Sequence, residues 1–409
     1  MKRDIDRLMK ERGIDAAVVM GKVLGNPTMF YAVNGAKLSH AVVIRRRDEQ
    51  PVLLCGTMER EEAEASGLAT VDTSKYDYRS MLAAAGGDTL KAMVTYYGTV
   101  FAEFGVRGRV AFYGVGDVGR NIELFRALEK GLSGVTVVGE FKDDVFLTAR
   151  GTKGAEEIER IRGVGRLTCE VVTHVKRYLL SHRAKGGSLV KDDGRPLTIG
   201  DCKAEIRTAL AARKLIEAEE TIFAIGRDAG IPHSRGSDGD PIALGKTIVF
   251  DIFPQEQGGG YFYDFTRTFV VGEASPEIVR AYRELEECFD EVAATLKAGE
   301  RASVYQTRMC ELFEKRGHAT LRTNPQVRNG YVHSLGHGVG LEVHERPTLS
   351  DYPGNDDTLE PGAVFTFEPG LYYPDRGGWG MRIEDIYRVT EDGRIENMTN
   401  YPRDLVLKA

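Results

Sequence analysis

The chain has 409 residues, 42% hydrophobic and 28% charged. That is enough for two or three domains with a real core, and it argues against a mainly disordered chain. The formal net charge of −6 excludes a chain-wide cationic footprint for nucleic acid or an anionic membrane. Five dispersed cysteines without a CxxC pair, a charged start (Met1-Lys2-Arg3-Asp4) and no apolar run of about 18 residues read as a cytoplasmic protein with reduced thiols, no signal peptide and no membrane span.

Residues 3–12 predict a short helix. Ala16–Met20 and Ala41–Ile44 predict strands, and Pro51–Cys55 predicts the return strand of a hairpin whose charged tip is Arg45–Glu49. Helices are expected near 57–66, 86–104 and 120–130, with strands at 109–113 and 135–138, which makes residues 1–150 an α/β domain with a mixed sheet. The texture then changes. Ile158, Ile161, Val164, Leu167, Val171, Val175 and Leu179 recur three or four apart and predict one long helix over 153–182. Further helices are expected at 201–215, with Asp201 as N-cap, at 276–297 and at 303–316.

The region after 150 carries a weak internal repeat. Thr247–Asp251 turns through a Gly-rich loop and returns as Tyr261–Thr268, and Ala363–Glu368 turns and returns as Met381–Tyr387. Each half reads as strand, acid, loop, acid, strand, so two hairpins are expected to face each other in a duplicated unit. An acid inside an apolar strand needs a reason, because burying an unpaired carboxylate is costly. Four of them, Asp251, Asp264, Glu368 and Glu384, are explained by a shared cation site. Strand period puts Asp264 on a face with Thr266 and Thr268, and Glu384 on one with Arg382. If the faces converge, −4 is matched by two divalent cations, or else the acids share protons.

Histidine is scarce, eight in all, and His333, His337 and His344 fall within twelve residues. His337 lies between Gly336 and Gly338, an arrangement that permits close backbone approach to a site. One imidazole among carboxylates suits Mn²⁺, Co²⁺ or Zn²⁺, and such a site activates water and polarises a carbonyl.

At every position, His333–Glu345 resembles the fingerprint of Xaa-Pro aminopeptidases (aminopeptidase P) and proline dipeptidases (prolidases). Asp251 with Asp264–Thr268, Glu368-Pro369-Gly370, Arg382–Asp385 and Arg150–Lys153 are similar to the same family. The resemblance covers essentially the whole chain and is strongest from 233 to 390. It implies a creatinase-type α/β domain over 1–150 and a pita-bread catalytic domain over 151–409. It also implies that Asp251 chelates one metal, that Asp264 and Glu384 bridge two, and that His337 and Glu368 bind the second. Glu368 would double as general base, His344 and His233 would contact substrate, and Arg382 would organise the bridging carboxylates. The partners implied are short proline-containing peptides and a second copy of the chain, a homodimer. Two departures stand out. Asp251 and Asp264 are 13 apart where the family has eleven, and Phe253 replaces a small glycine. Some prolidases also carry an arginine where Thr348 stands here, with Arg346 on the other side of Pro347, which favours an aminopeptidase over a dipeptidase.

Three other readings compete. Gly114–Gly119 is a GxGxxG between a strand and a helix, with Glu140 about where a ribose-binding acid would fall in a dinucleotide site. It starts more than 100 residues into the domain, and no further β–α units follow it before the long helix. A non-catalytic module or a metal-free amidinohydrolase on the same fold is expected to have lost metal ligands, and all five are present. The long N-terminal domain and the His333–Glu345 pattern speak against a methionine aminopeptidase.

Overall fold

A computed structural model describes residues 4–408. The chain divides into two compact units. One runs through Arg150 and includes Gly258–Gly260. The other comprises Gly151–Gln257 and the chain from Tyr261 onward.

The first unit contains α1 (Ile5–Glu11), β1 (Ala16–Lys22), α2 (Pro27–Ala32), β2 (His40–Arg46), β3 (Val52–Cys55), α3 (Arg60–Glu64), β4 (Ala69–Asp72), α4 (Tyr78–Ala84), α5 (Thr89–Glu103), β5 (Gly108–Tyr113), α6 (Val118–Gly131), β6 (Val135–Val138) and α7 (Val145–Arg150). Its sheet has the order β4-β3-β2-β1-β5-β6 and is mixed: β1 runs antiparallel to β2 and parallel to β5. Val18, Ile44, Leu54 and Val110 from the sheet pack with Tyr97, Val100 and Phe101 of α5. The short elements α2, β4, α4 and α7 escape sequence periodicity. A signal for α2 was present nonetheless: Asn26 accepts from Met29 N as N-cap, and Pro27 opens the helix.

The GxGxxG segment is consumed by this packing. Asp117 caps α6 by accepting from Arg120 N at 2.8 Å, so a carboxylate of the chain itself occupies the helix N-terminus. Glu140 accepts from Arg12, from the Tyr113 hydroxyl at 2.7 Å and from Val145 N at 3.0 Å.

The second unit begins with α8 (Ala155–Leu180), β7 (Arg183–Lys185), β8 (Ser188–Val190), α9 (Ile199–Ala211), β9 (Leu215–Ile216), β10 (Ile222–Ile225), β11 (Thr247–Ile252), β12 (Gln255–Glu256) and β13 (Phe265–Val271). It continues through α10 (Pro276–Ala293), α11 (Ser303–Lys315), β14 (Gly336–Gly338), β15 (Glu345–Leu349), β16 (Val364–Phe367), β17 (Gly370–Tyr373), β18 (Trp379–Arg382), β19 (Asp385–Val389), β20 (Ile395–Asn397) and β21 (Val406–Leu407). A four-stranded sheet, β10-β11-β13-β21, and a five-stranded sheet, β15-β14-β16-β19-β20, carry the two halves of the repeat. The apolar stripe of α8 is buried as expected, except that Gly165 and Thr168 take the place of half-buried Leu167. A Cβ on Gly165 would lie 2.2 Å from the ring of Tyr263, so a small residue here lets the helix seat the residue before Asp264.

Three local expectations change. The N-cap of α9 is Thr198, not Asp201. Asp201 stands at N3 of a reciprocal capping box, with Thr198 N donating to it at 3.0 Å. The return strand of the first hairpin starts at Phe265, not Tyr261. Pro254 has no N–H to extend the ladder, and Phe262 N donates to Gly340 O instead. The second strand pair is not a simple hairpin. β16 pairs with β19, and a separate hairpin, β17–β18, is inserted between them.

Candidate metal centre

The acids gather where ladders end. The last pair of β11–β13 is Ile252–Phe265, so Asp264 lies one residue past it and Asp251 one residue before it. The last pair of β16–β19 is Phe367–Asp385, which sets Glu368 and Glu384 at the next facing positions. Only Asp251 is inside a strand. The other three acids sit just beyond strand ends, a correction to the in-strand placement expected from the pattern. Glu384 N donates across to Thr266 O at 3.1 Å and joins the two halves.

Asp251, Asp264 and Glu384 are buried, and the Glu368 side chain is 14% exposed. If all four ionise they carry −4, and one guanidinium, that of Arg382, opposes them at close range. Arg382 NH2 donates to Asp251 Oδ2, Nε donates to Thr266 Oγ1 at 3.1 Å, NH1 donates to the Tyr372 hydroxyl at 2.7 Å, and Glu368 Oε2 is 3.9 Å from Nε. Arg382 thus grips Asp251 directly, and reaches Glu384 through Thr266, whose hydroxyl donates to Glu384 Oε2 at 2.7 Å.

One oxygen on each of three acids is left over. Asp251 Oδ1, Asp264 Oδ1 and Glu384 Oε1 are buried and have no hydrogen-bond partner. Buried polar atoms are nearly always satisfied, so three such oxygens in one cluster call for a cation. His337 is turned to match. Its Nδ1 faces Gly338 O at 3.1 Å and therefore carries the proton, which leaves the Nε2 lone pair 3.4 Å from Glu368 Oε1 and 3.7 Å from Asp264 Oδ2. Donor atoms of Asp264, His337 and Glu384 all lie within 4.8 Å of one another. Carboxylate oxygens with one imidazole nitrogen fit a divalent ion of the Mn²⁺, Co²⁺ or Zn²⁺ type.

The proton affinities agree. Burial raises the Asp264 carboxyl well above its ordinary range, and the Glu384, Asp251 and Glu368 charges add to the rise. Burial, then Glu368 and Asp251, does the same to Glu384. Burial and the Asp251 charge push Glu368 up to about 8, although Arg382 and a hydrogen bond from Thr366 hold it down. Burial, then the His344 charge, lowers His337 to about 3, so the ring is neutral.

Gly336 and Gly338 serve a different purpose from the one expected. A Cβ at these positions would lie 2.1 Å from Thr366 O and 2.0 Å from Arg346 O. The backbones that come close are those of neighbouring strands, and the glycines let β14 lie between β15 and β16. His344 is exposed, immediately before β15, with its ring 4.2 Å from that of His337. His233 lies on an exposed loop, and its charge bears on both His333 and His344. His333 Nδ1 faces Ser334 O, and its Nε2 accepts from the Tyr372 hydroxyl at 2.8 Å. Sequence reasoning missed Tyr372, and it missed Thr366, whose hydroxyl accepts from His337 N at 3.1 Å. Thr366 is two residues before Glu368 on an apolar strand, a same-face position that the strand period points to.

Residues 159–391 match metallopeptidase family M24. The chain belongs to that family. A Mycobacterium tuberculosis relative named "Probable dipeptidase PepE" is 31% identical over 264 residues, which are 64% of this chain and 62% of the relative, so less than two thirds of that protein's length is spanned. The Xaa-Pro dipeptidase of Pyrococcus furiosus is 31% identical over 278 residues, 66% of this chain and 69% of its own. The crystal structure of an X-Pro aminopeptidase from Thermotoga maritima has the same fold, with a TM-score of 0.75 over 98% of this chain and 100% of that one at 23% identity. The architecture is accordingly that of an N-terminal α/β domain followed by a C-terminal pita-bread domain. Among the described residues, no helix is long and apolar enough to cross a membrane.

Proposed function

We propose that this M24 metallopeptidase is an Xaa-Pro aminopeptidase, an exopeptidase that hydrolyses the bond between an N-terminal residue and a following proline in short peptides. The observation that carries the reading is the set of three unpartnered buried carboxylate oxygens beside the His337 Nε2 lone pair. Asp251, Asp264, His337, Glu368 and Glu384 would hold two divalent ions, Mn²⁺ before Co²⁺ or Zn²⁺. Bound there, such ions lower the pKa of water and polarise a carbonyl. In this reading Arg382 holds Asp251 Oδ2 so that Oδ1 stays open. Glu368 would take a proton from the attacking water at its carboxylate and return it to the leaving proline nitrogen. His344 donates its N–H to the scissile carbonyl oxygen, and His233 makes the second substrate contact. The proline imide has no N–H and a fixed φ, so general aminopeptidases handle it poorly. The domain limits of 1–150 and 151–409, a homodimer and a cytoplasmic setting complete the proposal.

The second reading is an Xaa-Pro dipeptidase, favoured by the Pyrococcus furiosus relative's name. Against it, Arg346 donates to Asp357 and, at 3.4 Å, to Asp356, so its guanidinium is engaged and not free for a dipeptide carboxylate. Thr348 faces His337 across β14–β15. The test is turnover of Xaa-Pro against Xaa-Pro-Yaa by Mn²⁺- or Co²⁺-reconstituted protein. A higher kcat/KM on the tripeptide is expected. Cleavage of the dipeptide alone reverses the preference, and cleavage of neither by metal-loaded protein overturns the proposal.

A further inference from the structure

Arg267 lies in β13 of the second unit and is 1% exposed. Its guanidinium uses all five N–H groups. Nε donates to Pro402 O at 3.0 Å. NH1 donates to Thr266 O at 2.9 Å and to Glu384 O at 2.8 Å. NH2 donates to Asp385 Oδ1 at 2.8 Å and to Tyr401 O at 2.9 Å. The plane is held over the ring of Phe265, 4.5 Å from its centroid. Asp385 is fixed in turn, because its Oδ2 accepts from Arg403 at 2.9 Å and from Asn397 at 3.0 Å.

The positions of these acceptors matter. β13 belongs to the four-stranded sheet and β19 to the five-stranded sheet, and no ladder runs between them among the described residues. The backbone link at this point is Glu384 N to Thr266 O. Arg267 NH1 doubles that link by gripping the carbonyls of the same two residues. Thr266 is the residue whose hydroxyl joins Arg382 to Glu384, and Glu384 carries one of the unpartnered oxygens. The guanidinium touches none of the open carboxylate oxygens. It fixes the main chain that aims them.

We propose that Arg267 is a positioning residue for the metal centre. It clamps the ends of the two half-sheets so that Glu384 and Asp264 meet an ion in place, and this rests on the metal reading above. Lysine cannot substitute. It would keep the charge beside Asp385, but its compact ammonium has three donors and no planar fork, so it cannot span five acceptors from three stretches of chain.

Arg267→Lys is the test, read by Mn²⁺ titration calorimetry on the full chain with far-UV circular dichroism as the folding check. Partners that orient metal ligands are each worth about 10–100-fold in affinity, so a folded Arg267→Lys should bind Mn²⁺ about tenfold more weakly or worse. Ile206→Ala, a cavity in the buried face of α9, is the control for stability alone and should lower the Tm while keeping the wild-type Kd. If Arg267→Lys does not fold, Asp385→Asn takes its place. It keeps an oxygen for NH2 but loses the charge that anchors it, and at least threefold weaker binding is expected. Wild-type affinity in a folded Arg267→Lys, or in Asp385→Asn if that variant is needed, overturns the assignment. Failure of the wild-type chain to bind Mn²⁺ overturns the metal reading beneath it.

Discussion

Replacing Glu368 by Gln should stabilise the metal-free protein while destroying turnover, and the sign follows from where the acid titrates. In the metal-free fold its proton affinity rises from 4.5 to about 8, mainly through burial. Below pH 4.5 both the folded and the unfolded chain hold the proton, and the group contributes no pH dependence. Between 4.5 and about 8 the unfolded chain has released it and the folded chain retains it. Folded stability therefore falls as pH rises through that window, and the loss is complete above about 8. At 1.36 kcal/mol per pH unit the ceiling is about 5 kcal/mol.

Glutamine does not titrate, so the difference between variant and wild type should be small near pH 5 and grow towards pH 8. There the variant should be the more stable by more than 1 and up to about 5 kcal/mol. Urea unfolding in EDTA at the two pH values measures it. The single tryptophan, Trp379, reports directly, since it is buried at the start of β18, the strand that ends in Arg382. With Mn²⁺ the gap should narrow. The wild type gains about 2.7 kcal/mol at a hundredfold excess over Kd, and the variant, short of a ligand oxygen, gains less. An equal or lower stability of Glu368→Gln at pH 8 in EDTA would refute the account of a charge-strained acid cluster.

Three further outcomes are expected. His344→Ala should lower kcat about 10²–10³-fold, as loss of one oxyanion donor does, with Mn²⁺ stoichiometry unchanged by calorimetry. Arg346→Ala should lower the Tm slightly and leave the ratio of dipeptide to tripeptide kcat/KM unchanged, because its guanidinium is engaged by Asp356 and Asp357; a loss confined to the dipeptide would show it binding the substrate carboxylate. Asp117→Ala should cost about 1 kcal/mol in urea unfolding, as loss of an N-cap does, and NAD should leave the Tm of both proteins unmoved.

Much of the site was legible in the sequence because its signals are local. An acid next to Phe250, or one flanked by Tyr263 and Phe265, is conspicuous against an apolar strand, and His337 stands in a dense motif. The long helix and the mixed sheet were legible for the same reason, since periodicity is written residue by residue. What escaped is set by chain-distant contacts. Nothing near Asp201 shows that Thr198 holds the cap except their spacing, and nothing near Glu368 shows that β17–β18 comes between it and Glu384. The glycines around His337 were read as making room for a ligand, yet they make room for Thr366 O and Arg346 O, partners 30 and 8 residues away in sequence. Arg267 sat inside a recognised motif with no role attached, because its five acceptors come from three separate stretches of chain.

The placement of the acids explains why this fold cannot neutralise its own centre. Within a strand, each side chain has neighbours on both flanks, and a buried acid there finds a donor or is selected against. At the end of a ladder one flank is open. Asp264, Glu368 and Glu384 all stand at such ends, and the two ladders stop against each other, so their open flanks coincide. Arg382 and Thr266 each satisfy one oxygen, on Asp251 and Glu384 respectively, and leave its twin without a partner. One cation against four carboxylates leaves −3, which the metal-free chain offsets only by holding protons on acids whose affinities burial has raised. A divalent ion displaces those protons. The same geometry that makes the empty cluster costly therefore makes metal binding favourable and pH-dependent, and it reserves the unpartnered oxygens for the ion.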